Sequence, residues 1–517
     1  MKASQIFIAV LMLLTGKVCM AAGASLLYIP MDNRPVCFDY TVRSMEAAGW
    51  SVEVPSEEDI ASGSRAGNPE KLFTWLEDKM GGSEAVVVSG DALIYGGLVA
   101  SRTHEIPLDV LLRRAERLTE LKKKFRGKKF YVFSTIMRSP KSSSAPVEPA
   151  YYAQWGQKLF RLGALEDKLE LKVISKSERK ELKSLREEIP ADILNDMYGR
   201  RENNLKVTKY LLHGVESGDF DYMLVGRDDT SSFSQAHKEA RELDILVHEL
   251  PRERIRFFAG ADELGLLLLT RAYTRLKYEL PLVNAVYAPG KGGATIPSYE
   301  DNTVAESVKQ HIYAAGAFPV SKGRRADLTL AVNTPSDGIT EEASSAANTY
   351  DTTAATEDFL GKIATLSDSK PVAVADVKYG NGADNAFVKG LFAGGLAYKI
   401  VAYNGWNTSG NTIGFSIGQG LLSKNYAEDV RRELLQQRYL DDWAYQANVR
   451  MQTYRQLIWP NYWPNSGLSR EQKSVAEKEI TQSIRLLTRP YLGDVVDEYN
   501  FTLPWSRMFE IKVEKRR

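Results

Sequence analysis

The sequence predicts an α/β protein. Mostly parallel sheets should form two or more doubly wound, Rossmann-like domains, with a helical insertion and a helical C-terminal region. Three observations lead there. Short apolar runs alternate with amphipathic stretches at βα spacing. About ten such runs occur, more than one eight-stranded barrel needs, with a (β/α)8-like barrel as the alternative. Almost every run ends in a polar cluster, as expected where parallel strands deliver side chains to a ligand-binding edge.

Taken in order, Met1 and Lys2 precede the apolar run Ile6–Leu14, and Ala21-Ala22-Gly23-Ala24 follow. This reads as a signal peptide over residues 1–21, so the protein is expected to be exported, periplasmic or extracellular. Cys19 would leave with it. Bulky Val18 before Cys19 argues against a lipoprotein. Cys37 then remains as the single mature thiol, so no internal disulfide is expected. No later segment approaches about 18 uninterrupted apolar residues, and no membrane span is expected.

Residues 22–150 form an expected N-terminal α/β domain, with strands over Ser25–Met31, Ser51–Pro55, Glu84–Val88 and Lys129–Ile136. Residues 151–218 read as a highly charged helical insertion, with Pro190 suited to open a helix. Residues 219–426 resume the βα rhythm, with strands over Asp221–Gly226, Ile255–Phe258, Leu282–Tyr287, Leu328–Val332, Val372–Ala375 and Ile400–Tyr403. Residues 427–517 are mainly helical, closing in a strand or hairpin over Phe501–Val513. Met45–Pro55 and Ile312–Val320 resemble each other in position, a weak echo between the halves.

Composition limits the function. Of 517 residues, 44% are hydrophobic and 26% charged, enough for a large core. Lys+Arg 67 against Asp+Glu 66 leaves +1, a poor match to a nucleic-acid binder. There is no Walker loop, no GxGxxG after the first strand and no GxSxG elbow. The five histidines lack zinc-site spacing, so no metal ligands are assigned. No cofactor is expected, although carboxylates leave Mg²⁺ or Ca²⁺ open.

The strand-end clusters are Asp32/Arg34, Asp91, Arg138, Arg227-Asp228-Asp229, Asp262-Glu263, Asn333, Asp376/Lys378 and Asn404/Trp406/Asn407. Singly, each acid has a structural explanation. Asp229 could cap a helix, Asp262 and Glu263 could favour a helix dipole, and Asp384 reads as a cap. The Asp228-Asp229 pair is harder to explain that way. Adjacent carboxylates beside Arg227 have environments that push their pKa values apart, as acid/base chemistry needs. Asp228 and Asp229 are therefore the first catalytic candidates, with Asp262 and Asp376 in support. Asp32, Arg34, Asp91, Arg138, Arg227, Glu263, Lys378, Asn404, Trp406 and Asn407 are the substrate-binding candidates. A Trp face among three amides and two hydroxyls in Asn404–Asn411 suits a sugar ring; the alternative is a buried Trp in an Asn/Gly loop.

These residues point to a carbohydrate or other small polar substrate. A glycoside hydrolase using paired carboxylates is the leading expectation. A periplasmic carbohydrate-binding protein and a carboxylate–metal hydrolase are the alternatives.

The stretches YIPMDNRPV, GDALIYGGLVASR, GRDDTS, GADELGLLLLTRA, ADVKYGNGADN and YNGWNTSGNTIG together resemble an exported bacterial family catalogued as domain of unknown function 4127. The likeness covers most of the mature chain. It implies no particular activity.

Overall fold

The computed structural model describes residues 25–142 and 147–516. The expected signal peptide and Cys19 lie outside the described residues.

Six strands form the first sheet: β1 (Ser25–Ile29), β2 (Ser51–Glu53), β3 (Ala85–Ser89), β4 (Lys129–Ile136), β5 (Tyr222–Arg227) and β6 (Ile255–Ala259). Their order is β2-β1-β3-β4-β5-β6, and all pairs are parallel. The sequences explain this. AVVVS in β3 is buried at every position, as a strand covered by helices on both faces must be.

Further along the chain come β7 (Leu282–Tyr287), β8 (Phe318–Pro319), β9 (Leu328–Asn333), β10 (Glu341–Glu342), β11 (Val372–Asp376), β12 (Tyr379–Gly380) and β13 (Ala402–Asn404). Five of them build a second parallel sheet in the order β13-β11-β9-β7-β8, while β10 and β12 pair separately. The fold is therefore α/β with two open sheets, not a closed barrel.

Renumbered from its own first strand, the second sheet also runs 2-1-3-4-5, the doubly wound order of the first five strands of the other sheet. The sequence echo falls at matching places. Met45–Pro55 enters β2 and Ile312–Val320 enters β8, the edge strand of each sheet.

Two helices join the sheets. Leu264–Leu276 is buried from Leu264 through Thr274, and Ser409–Leu422 is buried at every residue. They can approach closely because Gly410, Gly414 and Gly418 recur every four residues on one face. A Cβ on Gly410 would lie 2.2 Å from the Ala259 carbonyl oxygen, and one on Gly418 would lie 2.8 Å from Leu266. One apolar cluster accordingly runs from Leu26 and Val87 in the first sheet to Leu330 and Ala373 in the second.

Helices Tyr152–Glu170, Lys176–Glu188 and Ala191–Glu216 occupy the region expected to be helical, and Pro190 caps the third. They carry a small core of their own around Leu159, Leu162, Leu182 and Met197. The C-terminal region contains Glu428–Arg438, a π-helical stretch Tyr439–Val449 and the long helix Arg470–Leu492. An antiparallel hairpin, β14 (Tyr499–Thr502) with β15 (Lys512–Lys515), closes it. Its connecting segment, residues 503–511, reaches the site described next.

Candidate functional site

A cleft of about 640 Å³ opens where the carboxyl ends of β1, β4, β5 and β6 meet loops of the second sheet and the C-terminal segment. Loops after β7 and β13 supply Tyr299 and Asn407, and residues 503–511 supply Trp505, Arg507 and Phe509.

Three aspartates line the cleft, and each is held by an arginine from another element. Asp262, just past β6, receives Arg34 Nη2 at 2.5 Å on Oδ1. Its Oδ2 accepts from Asn407 Nδ2 at 3.3 Å and Asn411 Nδ2 at 3.5 Å. Asn411 also receives the Asp262 backbone N–H at 3.1 Å. Arg34 is fixed from behind by Asp32, through Nη2 at 3.0 Å. Asp228 pairs with Arg102, which also reaches Glu148 at 3.3 Å. Asp229 Oδ2 accepts from Arg138 Nη1 at 2.9 Å, and Arg138 leans on the same Glu148. Arg227 donates to Asp301 at 2.6 Å, tying β5 to the loop after β7.

The electrostatics follow from this burial. Asp262 is 4% exposed. Its pKa is raised to about 6: desolvation pushes it up, Arg34 pulls it down, and the Asp32 and Asp228 charges push it up. Asp229 is also raised, by burial and then by the Asp228 charge, against the pull of Arg138. Its side chain remains 24% exposed.

Backbone strain gathers at the same place. Asp229, Tyr299 and Asn407 line the cleft with φ of 37°, 68° and 61°. Ser506, between two lining residues, has φ 50°. Left-handed conformations in non-glycine residues cost about 1–3 kcal/mol each and cluster at functional sites. Hydrogen bonds hold them: Thr230 N–H donates to the Tyr299 carbonyl at 3.0 Å, and Asn381 N–H to that of Asn407 at 2.8 Å.

Of the residues singled out from sequence, Arg34, Arg138, Arg227, Asp228, Asp229, Asp262 and Asn407 line this cleft. Asp32 stands immediately behind it. Asp229 is not a helix cap; that role falls to Ser234, whose side chain accepts from His237 N–H.

The others lie elsewhere. Asp91 is fully buried between β3 and β4 and accepts from Thr135 at 2.9 Å and Ser134 at 3.2 Å; burial lifts its pKa to about 7. Glu263 points the other way from Asp262, into a buried contact with His311 at 3.1 Å. Asp376 is the last residue of β11 in the second sheet, outside the cleft, and accepts from Asn333, Tyr403 and the Asp384 N–H. Lys378 pairs with Asp384 at 2.9 Å, and Asp384 caps the helix Asn385–Ala393. Asn404 bonds Gln419 at 3.1 Å within the core. Trp406 is 3% exposed and packs edge-on against Phe509, so the buried-Trp alternative applies.

Sequence reading missed Arg102, Glu148, Asp301, Tyr299 and the Trp505–Phe509 segment. Arg102 lies within the GDALIYGGLVASR stretch, but on a helix rather than at a strand end. Trp505 reaches Asn33 through Nε1 at 2.8 Å, and its ring lies 5.4 Å from the Arg34 guanidinium. Nothing local in the sequence signals that contact.

The family model described as protein of unknown function (DUF4127) matches residues 26–514. The chain belongs to this family. The match spans both sheets and every cleft-lining residue, so the cleft of this DUF4127 protein is built entirely within the family region. No curated protein and no solved structure matched. Among the described residues, no group of three or more His, Cys, Asp or Glu is arranged to hold a metal ion, and no helix is long and apolar enough to cross a membrane.

Proposed function

We propose that the protein is an exported glycoside hydrolase acting in this cleft. The observation that carries the reading is that Asp229 and Asp262, from two neighbouring strand ends, line one cleft with both carboxyl pKa values raised, that of Asp262 to about 6. Glycoside cleavage needs two carboxyl groups in different protonation states. Asp229 suits the proton donor, because burial and the Asp228 charge favour its neutral form while part of it stays open to the cleft. Asp262 suits the base or nucleophile. All its side-chain partners donate to it, which favours the carboxylate. Arg34 and Asn407 orient that carboxylate, and Arg138 orients Asp229. The rings of Tyr299 and Phe509 supply apolar faces for a sugar, with Asn411 and Asn465 among the lining amides.

The test is a panel of aryl glycosides and oligosaccharides, assayed with and without EDTA, using wild type, Asp229→Asn and Asp262→Asn. Turnover that falls by about 10²–10⁴-fold in each variant is expected. Near-wild-type turnover in both variants would sink the assignment. A second reading, carbohydrate binding without turnover, is favoured by one observation: each cleft aspartate is already paired with an arginine. Saturable glycan binding with no hydrolysis across the panel would select it.

A further inference from the structure

The opposite end of the first sheet holds a group of arginines that the cleft does not use. Arg271, on the helix Leu264–Leu276, is 7% exposed. Its guanidinium lies 3.4 Å from the centre of the Tyr222 ring, at the start of β5. Nη1 donates to the Tyr313 carbonyl at 2.8 Å. Arg256, at the start of β6, lies 5.3 Å from the Tyr313 ring, and its Nη1 donates to the carbonyls of Arg252 and Ile255, leaving Nη2 and Nε for a ligand. Arg275 follows one helical turn after Arg271 and is exposed.

Among the described residues, none of these three arginines has a carboxylate within ion-pairing distance. Most other buried arginines are paired, Arg34 with Asp262, Arg102 with Asp228, Arg201 with Glu239 and Arg438 with Asp442; among the described residues Arg450 is the exception, and it lies over the Phe509 ring. The Tyr222 hydroxyl, beside Arg271, is buried without a hydrogen-bond partner.

A buried charge without a counter-charge is strongly disfavoured. The stack on Tyr222 offsets part of that cost. Burial, then the like charges of Arg275 and Arg256, hold the Arg271 pKa below its usual value, against the pull of Tyr222 and Tyr131. The missing component is negative charge, and planar guanidinium groups are well shaped to receive oxyanions.

We infer that Arg256, Arg271 and Arg275 form an oxyanion-binding site at the amino end of the first sheet, separate from the cleft and independent of the reading given for it. The ligand is recognised through the oxygens of a phosphate, sulfate or carboxylate group. Half-buried Arg256 and exposed Arg275 leave the site open to solvent. An anion there would neutralise Arg271 and brace the strand starts of β5 and β6 against the helix that joins the two sheets.

The test uses the full mature chain with inorganic phosphate, and separately a uronate oligosaccharide, at constant ionic strength set with sodium chloride. Calorimetry and the thermal unfolding midpoint are read for wild type, Arg271→Gln and Arg256→Gln/Arg275→Gln. A saturable rise in the midpoint with phosphate is expected in wild type, with affinity at least tenfold weaker in the double variant. Because the double variant changes only partly or fully exposed side chains, it should fold. Preference for the oligosaccharide over phosphate would identify an anionic glycan as the source of the oxyanion. Equal responses to phosphate and chloride, or unchanged phosphate and uronate affinity in the double variant, would overturn the site and leave the Tyr222 stack as a structural contact.

Discussion

Asp262→Asn should make the unliganded protein more stable at neutral pH and, on the proposed hydrolase reading, lower turnover by about 10²–10⁴-fold. In the folded chain Asp262 titrates at about 6, against an ordinary value of 3.8. Between those two values the folded protein holds a proton that the unfolded chain has released. Wild-type stability therefore falls as pH rises from about 4 to 6, and stays reduced above that. A difference of about two pKa units corresponds to about 3 kcal/mol. Asparagine removes this penalty but places an amide where Asn407 and Asn411 now donate, which costs about 1 kcal/mol even if those amides turn to accept. A net gain of about 2 kcal/mol is expected above pH 7, and a slight loss near pH 4. Urea unfolding of both proteins at pH 4 and pH 7.5 reads the difference directly, and subtracting the two cancels every other titrating group. A difference that does not change with pH, or that favours wild type as pH rises, would refute the reasoning. It would mean that the Arg34 pair outweighs the desolvation of Asp262.

Other consequences can be checked in the same preparations. If Asp262 acts as the base, turnover should fall on the acid side with an apparent pKa near 6, read from kcat/KM between pH 4.5 and 8. Phe509→Ala should raise KM several-fold with little change in kcat, measured by steady-state kinetics. Trp406→Ala should instead lower stability by about 3–5 kcal/mol, seen in urea unfolding, because its ring is in the core. Gly410→Ala forces a methyl to within 2.2 Å of the Ala259 carbonyl, and should cost at least about 1–3 kcal/mol and reduce turnover by displacing Asn407 and Asn411 from Asp262. Gly361→Ala, with nothing within 4 Å and mid-helix, is the matched control and should be neutral or slightly stabilising.

Local pattern in the chain determined a great deal. Apolar runs such as AVVVS and LTLAVN could only be buried strands, and their spacing required parallel pairing through helices. The polar ends of those strands marked the edge where a cleft would form, and seven of the residues named there line it. Which clusters meet was decided by tertiary structure alone. Arg34 and Asp262 are 228 positions apart, and Trp505 meets Asn33 across 472. Periodicity has no information at that range. Asp376, like Asp262, belongs to a polar cluster at a strand end, yet it closes β11 in the second sheet away from the cleft, where Tyr403 and Asn333 bind it. Trp406 sits among amides and hydroxyls in the chain but packs inside the core. A side chain's neighbours along the sequence establish its strand end and its chemistry; whether it faces solvent, ligand or core depends on how the two sheets dock through Leu264–Leu276 and Ser409–Leu422. That docking rests on burial summed over the whole interface, which no single segment encodes.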